Sequence, residues 1–594
     1  MKRVNAKRER GAALLALLAV IMLGASWFLV SQLNAESGSA AAARKTRNAE
    51  VLNRAKQALI GYVAAQATKS FEDNPGALPC PEHAWYISLP DKEGTTGPSI
   101  GVANPGYGTA NCSSIGRFPW RTIGTDKLTD ASGQPLWIVV GPAWRKTSTS
   151  TKTTINSNTA GDVTVDGQQV VALIIAPGQA MVTQTGTTPY GVACSARNQA
   201  RSAPVGTMDP LDYIECYNAA TLQFSTTGPG ASFNDQVAKV TAADLIPGIE
   251  AAVANRIERE IVPLLKSAYT GTKWNASAGQ TVLPFAAPFT DPGTSPFQGS
   301  ASPATTAGLL PFSYSPTCSP AGDARCTSSS FHSWSTPSVS KTSGSGSLWI
   351  GPNCSVSGAY VTCTGYYQVD SLTANFDDQL GNMATALRDF TLTNHTARVW
   401  TILYNGSSWD GWVEVSSSTV LSRRFNSNGA LSFMVGNIPL RWAGGTAYGY
   451  YYIEAQRPTV SDHVLLSSSD TITGWFVRNE WYRLLYYAIA PDHAPGGSLS
   501  CTTGGTCLSV ANGDPTRPIT PTNGQRAILI FAGSGVAGQA SPRVARSDYF
   551  EYGNATGTGT LAFPFERQPL RRSAVVNVTL KLPFNDRVIV IDSN

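Results

Sequence analysis

The sequence predicts an α+β chain: a long N-terminal membrane-spanning helix packed on antiparallel β modules, with a further β-rich domain inserted between them. Three observations carry this expectation. Residues 11–33 form a charge-free run long enough to cross a bilayer, which takes about 20 mostly apolar residues. A block of strand-like runs closing on an Asp-Tyr-x-Glu motif occurs twice, over residues 135–219 and 482–555. Between the copies, residues 346–470 alternate apolar and polar side chains as half-buried strands do.

Ahead of the apolar run, Lys2, Arg3, Lys7, Arg8 and Arg10 outweigh the single acid Glu9, a bias that keeps this end in the cytoplasm and exports the body. A secretory signal would have a core of about 7–15 apolar residues and a small-residue cleavage site. Here the core is longer, and Leu33-Asn-Ala35 is a poor site. The basic segment ends in Arg8-Glu-Arg-Gly11 and abuts Ala12-Ala-Leu-Leu15 without a spacer. This arrangement resembles the leader of type IV prepilins and type II secretion pseudopilins. The resemblance implies cleavage after Gly11 by a prepilin peptidase, methylation of Ala12, and side-by-side assembly through Leu14, Leu15, Ala16, Leu18, Ile21 and Leu23. The fifth mature position, usually Glu in pilins, is Ala16. A carboxylate within a membrane needs a partner, and a subunit with nothing above it needs no such carboxylate. The large K-type pseudopilin, which caps its filament, lacks it in the same way, so the resemblance implies a large minor or tip subunit. A plain uncleaved anchor fits the hydropathy equally well.

Composition narrows the classes. Charged residues make up 14% of the 594, against about 25% in ordinary soluble domains, while Gly (55) and Pro (37) accompany long Ser/Thr tracts. With 42% hydrophobic residues this is a loop-rich β composition rather than a disordered one. The leader supplies most of the net charge of +5, so the body is near neutral and offers nucleic acid no electrostatic footing. Ten cysteines, all beyond the apolar run, should pair in an oxidising compartment. Their spacing favours neighbours: Cys80 with Cys112, Cys194 with Cys216, Cys318 with Cys326, Cys354 with Cys363, and Cys501 with Cys507.

Along the chain, the leader occupies 1–11 and the apolar helix 12–33. An amphipathic helix over 34–71 continues the spine, with Val51, Leu52, Ala55, Leu59 and Tyr62 at three-to-four spacing. A first β module covers 72–230, and its Asp130-Ala-Ser-Gly-Gln-Pro135 is similar to the turn that opens the sheet of G-type pseudopilins, with Ser132 where those usually have Trp. A second amphipathic helix follows over 231–270, then a Pro/Ser/Gly-rich linker over 271–345, the inserted β-rich domain over 346–470, and a second β module over 471–594 that repeats the first. The repeat aligns Val170–Gln179 and Asp212–Ala219 with Ala527–Gln539 and Asp548–Ala555.

Catalytic chemistry is sought and not found, so the chain reads as non-enzymatic. The five histidines are scattered, without a His-x-x-x-His pair or a G-x-S-x-G elbow. Gly533-Ser-Gly-Val-Ala-Gly538 matches G-x-G-x-x-G after a strand, but Pro542 would sit in the first turns of the helix that motif requires, so it reads as a glycine turn. No cofactor is expected. The repeated carboxylates Asp212 with Glu215 and Asp548 with Glu551 leave a structural Ca2+ open, although turn caps account for them more simply. A binding surface for sugars or proteins is placed at Trp400, Trp409, Trp412, Tyr448, Tyr450 and Tyr452, against the plainer expectation that strand aromatics are core.

The expectation is therefore a non-enzymatic minor pilin or tip pseudopilin that displays its body for assembly initiation or adhesion. It would sit in the inner membrane of a Gram-negative bacterium with a periplasmic body, and later at a pilus or cell surface. Its partners would be other subunits, the membrane and the prepilin peptidase. The competing class is an anchored envelope protein that binds carbohydrate or protein and enters no filament.

Overall fold

The computed structural model describes residues 39–82, 112–146, 153–201, 209–228, 233–270, 281–289, 305–311, 334–343 and, with short breaks, 352–593. The chain forms two compact units: one takes the residues up to Gly248, and the other those from Ile249 onward together with 67–75 and 156–158.

The first unit is built on helix α1, residues 39–67. Leu52, Ala55, Leu59 and Val63 recur every three to four residues and are buried, while Arg44, Arg47 and Arg54 face water. Strands β1 (Ile115–Arg117), β2 (Trp137–Val140), β3 (Ala172–Ala176) and β4 (Gln236–Val240) form an antiparallel sheet in that order. Its register pairs Ile115 with Val139, Trp137 with Ile175, and Gln236 with Ala176. The runs in β2 and β3 are apolar without alternation because both faces of the sheet are buried. Trp137, Val139, Leu173 and Ile175 pack with Tyr213, Ile214 and Phe224 on one face. Lys56 of α1 donates to the Lys239 carbonyl and pairs with Asp244 at 2.9 Å, tying the helix to β4. The turn at Asp130 enters β2 with its carboxylate accepting from the Ser132, Gln134 and Gly178 amides, and Gly133 takes the left-handed conformation there (φ 79°).

Two expectations are corrected here. The fold is mixed helix and sheet, mostly β, and no helix among the described residues is long and apolar enough to cross a membrane. The N-terminal helix that the structure describes is amphipathic: one stripe is buried and the remaining faces are charged. Residues 12–33, with Gly11 before them, lie outside the described residues. The second correction concerns residues 231–270. The helix starts only at Ala242, because Gln236–Val240 completes the first sheet. Helix α2 (Ala242–Arg256) then passes through a π-helical turn, Ile257–Ile261, into α3 (Val262–Thr270).

In the second unit, part of the expected linker is instead buried structure: Leu283, Phe285 and Leu310 are at most 1% exposed, and β5 (Ala307–Leu309) joins a sheet. A sandwich follows, beginning at 334, ahead of the boundary expected at 346. Its strands are β6 (Trp334–Ser343), β7 (Asn353–Ser357), β8 (Tyr360–Tyr367), β9 (Ser371–Asp378), β10 (Thr396–Tyr404), β11 (Val413–Val420), β12 (Ser422–Phe425), β13 (Leu431–Pro439) and β14 (Tyr448–Gln456). Four of them form one sheet in the order β6-β9-β13-β12, and five form the other in the order β7-β8-β14-β10-β11. Val339, Leu372, Ala374 and Ile438 from the first meet Val361, Val399, Tyr451 and Ile453 from the second in one core. The chain then returns to β15 (Leu485–Ile489), β16 (Gln525–Phe531) and β17 (Arg587–Ser593), which with β5 make an antiparallel sheet in the order β5-β15-β16-β17. This is the strand order and direction of the first unit's sheet.

Inside the sandwich, Tyr367 of β8 lies opposite Gly449 of β14, and Tyr451 lies opposite Gly365. Each inward tyrosine ring covers the glycine across from it, and a Cβ at either glycine would collide with that ring. Gly449→Val is therefore expected to destabilise the protein by about 1–3 kcal/mol through overpacking, read as a shift in the urea midpoint at unchanged m.

Four of the expected cysteine pairs are disulfides: Cys80–Cys112, Cys194–Cys216, Cys354–Cys363 and Cys501–Cys507. Cys354 and Cys363 are directly opposed across β7 and β8. Cys318 and Cys326 lie outside the described residues. These bonds indicate an oxidising, extracytoplasmic location.

Candidate functional site

The outer face of the five-stranded sheet carries an aromatic cluster. Along β14, Gly449, Tyr451, Ile453 and Ala455 point into the sandwich, so period-two alternation sends Tyr448, Tyr450 and Tyr452 outward. Register brings Trp400 of β10 beside Tyr452, Tyr404 beside Tyr448, and Tyr366 of β8 beside Tyr450. Trp409 and Trp412 follow the turn Asn405–Ser408, in which the Asn405 side chain accepts from the Ser407 and Ser408 amides and Gly406 supplies a φ of 101°.

The rings touch one another rather than sinking into a core. Tyr404 and Tyr448 have centroids 4.9 Å apart, Trp409 stands edge-on to Tyr448 at 5.6 Å, Tyr366 meets Tyr450 at 5.0 Å, and Trp412 meets Tyr450 at 6.1 Å. Trp409 and Trp412 remain 42% and 51% exposed. Charged groups border the rings. Arg398 stacks over Trp400 and makes two hydrogen bonds to Glu414, at 2.8 and 2.7 Å, while Arg441 pairs with Asp410. Those bonds hold the Asp410 and Glu414 carboxyls below their usual range. The Tyr452 hydroxyl donates to Glu454. Nearly balanced charge around apolar ring faces suits a neutral, hydroxyl-rich ligand, since C–H groups meet the electron-rich ring face and hydroxyls meet the flanking ions.

All six residues expected to form a binding surface therefore share this outer face and its hairpin. Sequence reasoning missed Tyr366 and Tyr404, although the run Tyr360-Val-Thr-Cys-Thr-Gly-Tyr366 carries the same alternation. The processing and assembly residues Gly11, Ala12, Leu14, Leu15, Ala16, Leu18, Ile21 and Leu23 lie outside the described residues.

The repeated carboxylates act locally. Asp212 accepts from Arg197 at 2.9 Å, and Asp548 caps the amides of Val544 and Ala545. Glu215 Oε2 accepts from the Asn234 and Asp235 amides and its Oε1 from Gln199, while Asp235 Oδ2 accepts from the Glu215 amide. The second unit repeats the set: Glu551 Oε2 accepts from Asn585 and Asp586 and its Oε1 from Gln539, and Asp586 Oδ2 accepts from the Glu551 amide. The signal for this was in the sequence and was missed: Phe233-Asn-Asp235 and Phe584-Asn-Asp586 each precede the last strand of their sheet. Among the described residues, no three His, Cys, Asp or Glu side chains are grouped to hold a metal ion. Gly533 to Val536 lie in a loop, with Gly533 against the Asn585 side chain, and Gly538 takes a φ of 101°.

Comparison of the chain with protein-family models, with curated proteins and with solved structures finds no match.

Proposed function

We propose that this is a non-enzymatic exported display protein whose inserted sandwich binds a neutral polysaccharide. The carrying observation is the outward aromatic face of the five-stranded sheet, with Trp409 and Trp412 half exposed among paired ions. Clustered surface aromatics of this size mark interaction sites rather than inert surface. The segment Arg8–Gly11 followed by Ala12 supports a minor or tip subunit of a type IV pilus or type II secretion filament, processed by a prepilin peptidase at the inner membrane. In that setting the sandwich serves adhesion. An envelope protein that uses the same face without entering a filament is the competing reading, and the mature N-terminus separates the two.

The test is affinity electrophoresis of the detergent-solubilised chain in gels containing a neutral β-glucan or an α-glucan. Retardation by at least one polymer is expected, with affinity falling at least about tenfold in the Trp409→Ala/Trp412→Ala double variant, the equivalent of about 1.4 kcal/mol. Unretarded migration in both polymers overturns the sugar reading. Mass spectrometry of the same preparation should find a methylated Ala12 as first residue, and an intact Met1 removes the filament reading while leaving the sugar site standing.

A further inference from the structure

Each unit buries a glutamate against an aspartate in the same hydrogen-bonded frame, and in each frame one oxygen is left over. Glu215 is 2% exposed and Asp235 7%; Glu551 is 6% exposed and Asp586 4%. Both glutamates place their oxygens on two backbone amides and a glutamine, and both aspartates accept at Oδ2 from the glutamate's own amide, Asp586 Oδ2 also from the Asn554 side chain. Asp235 Oδ1 and Asp586 Oδ1 are buried without a hydrogen-bond partner. A buried carboxylate oxygen with no donor, beside a second carboxylate, is among the costliest arrangements a protein can hold. One proton on each aspartate removes the charge and turns the orphan acceptor into a donor. In the second unit the Asp586 and Glu551 side chains are within hydrogen-bonding reach of each other.

We propose that Asp235 and Asp586 are carboxylic acids in the folded protein, Asp586 sharing its proton with Glu551, so that each unit carries a proton-held lock that opens when the proton leaves to water. The lock joins the loop after β3 or β16 to the residues that start β4 or β17, and so fastens the last strand of each sheet. Burial, and then the charge of the neighbouring glutamate, push both aspartates well above the ordinary carboxylate range. The other charged groups facing them are Arg201 and Asp130 in the first unit, and Arg543 and Arg546 in the second. Glu250, which also feels Arg543 and Glu551, is itself pushed by burial up to about 7. An acid whose folded value lies above its unfolded one contributes stability that is complete below about pH 3.9 and is lost as pH rises through the folded value.

The test follows thermal unfolding of the full chain in detergent from pH 5 to 9, unmutated and as Asp235→Asn/Asp586→Asn. Asparagine keeps a neutral donor where the acid is proposed to have one, so the double variant should match the unmutated chain near pH 5. At higher pH the unmutated chain should lose stability more steeply, by a slope difference of up to two protons; taking the difference removes the contribution of Glu250. Equal slopes overturn the proposal. As a second check, the un-ionised carboxyl band in the infrared spectrum near pH 6, to which Glu250 also contributes, should be weaker in the double variant than in the unmutated chain, and equal bands overturn the proposal. Excess Ca2+ that stabilises the unmutated chain at pH 8 but not the double variant would assign the sites to a cation and overturn the proton reading.

Discussion

Arg256→Ala is expected to lower the stability of the second unit by about 3–5 kcal/mol, the usual consequence of breaking a buried ion pair from one side. The Arg256 side chain is fully buried, at 0% exposure. Its guanidinium binds Glu260 at 3.1 Å, donates to the backbone carbonyls of Glu72 and Ser70, and lies 4.0 Å over the ring of Trp475. Trp475 in turn donates its indole N–H to Glu260 at 2.8 Å. The π-helical turn Ile257–Ile261 carries Glu260 on the same stretch of helix. Removing the guanidinium takes the buried partner from Glu260, which keeps the half-exposed Arg259 at 2.8 Å, and takes the donor from two carbonyls. Urea unfolding followed by tryptophan fluorescence checks the loss, and the Arg256→Met/Glu260→Leu pair should recover much of it because no buried charge then remains and Arg259, which loses Glu260, is half exposed to water.

Tyr451→Ala and Tyr452→Ala, one residue apart, should give opposite phenotypes. Tyr451 is fully buried in the sandwich core and covers Gly365, so its loss opens a cavity worth about 3–5 kcal/mol. Tyr452 lies on the outer face beside Trp400, so its loss should cost stability less than about 1 kcal/mol and weaken polysaccharide binding instead. Melting temperature and gel retardation measured on both variants check this. Equal melting losses would mean that the outer rings are part of a core.

What could be read from residues alone divides along a physical line. Local features were legible: the three-to-four spacing of Leu52, Ala55 and Leu59 marks the stripe that α1 buries, although Val51 and Tyr62, read with them, are only half-buried and Val63 completes the stripe instead, and the close cysteine spacings gave the four disulfides described. Features decided by distant pairing were not. Gln236–Val240 suits a helix by spacing, yet it is drawn into a strand by Ala172–Ala176 some 60 residues earlier. Strand parity told which aromatics share a face, but which face is wet depends on where the second sheet lies. The Glu–Asp frames escaped notice because Asn234 and Asp235 stand about 20 residues from Glu215, and Asn585 and Asp586 about 35 from Glu551, so the repeated Phe-Asn-Asp was not joined to the repeated glutamate.

The place where the sandwich is spliced in sets how freely it can be exchanged. In the first unit, paired strands β1 and β2 are joined by residues 118–136; in the second, paired strands β5 and β15 are joined by residues 310–484, which hold the whole sandwich. The host sheet needs only that both ends of its cargo come back to one hairpin. Even as slack chain, such a lengthening is about three doublings, on the order of 2 kcal/mol in closure entropy. That hairpin is thus a cassette port, where a different inserted domain could be carried without changing the register of any host strand.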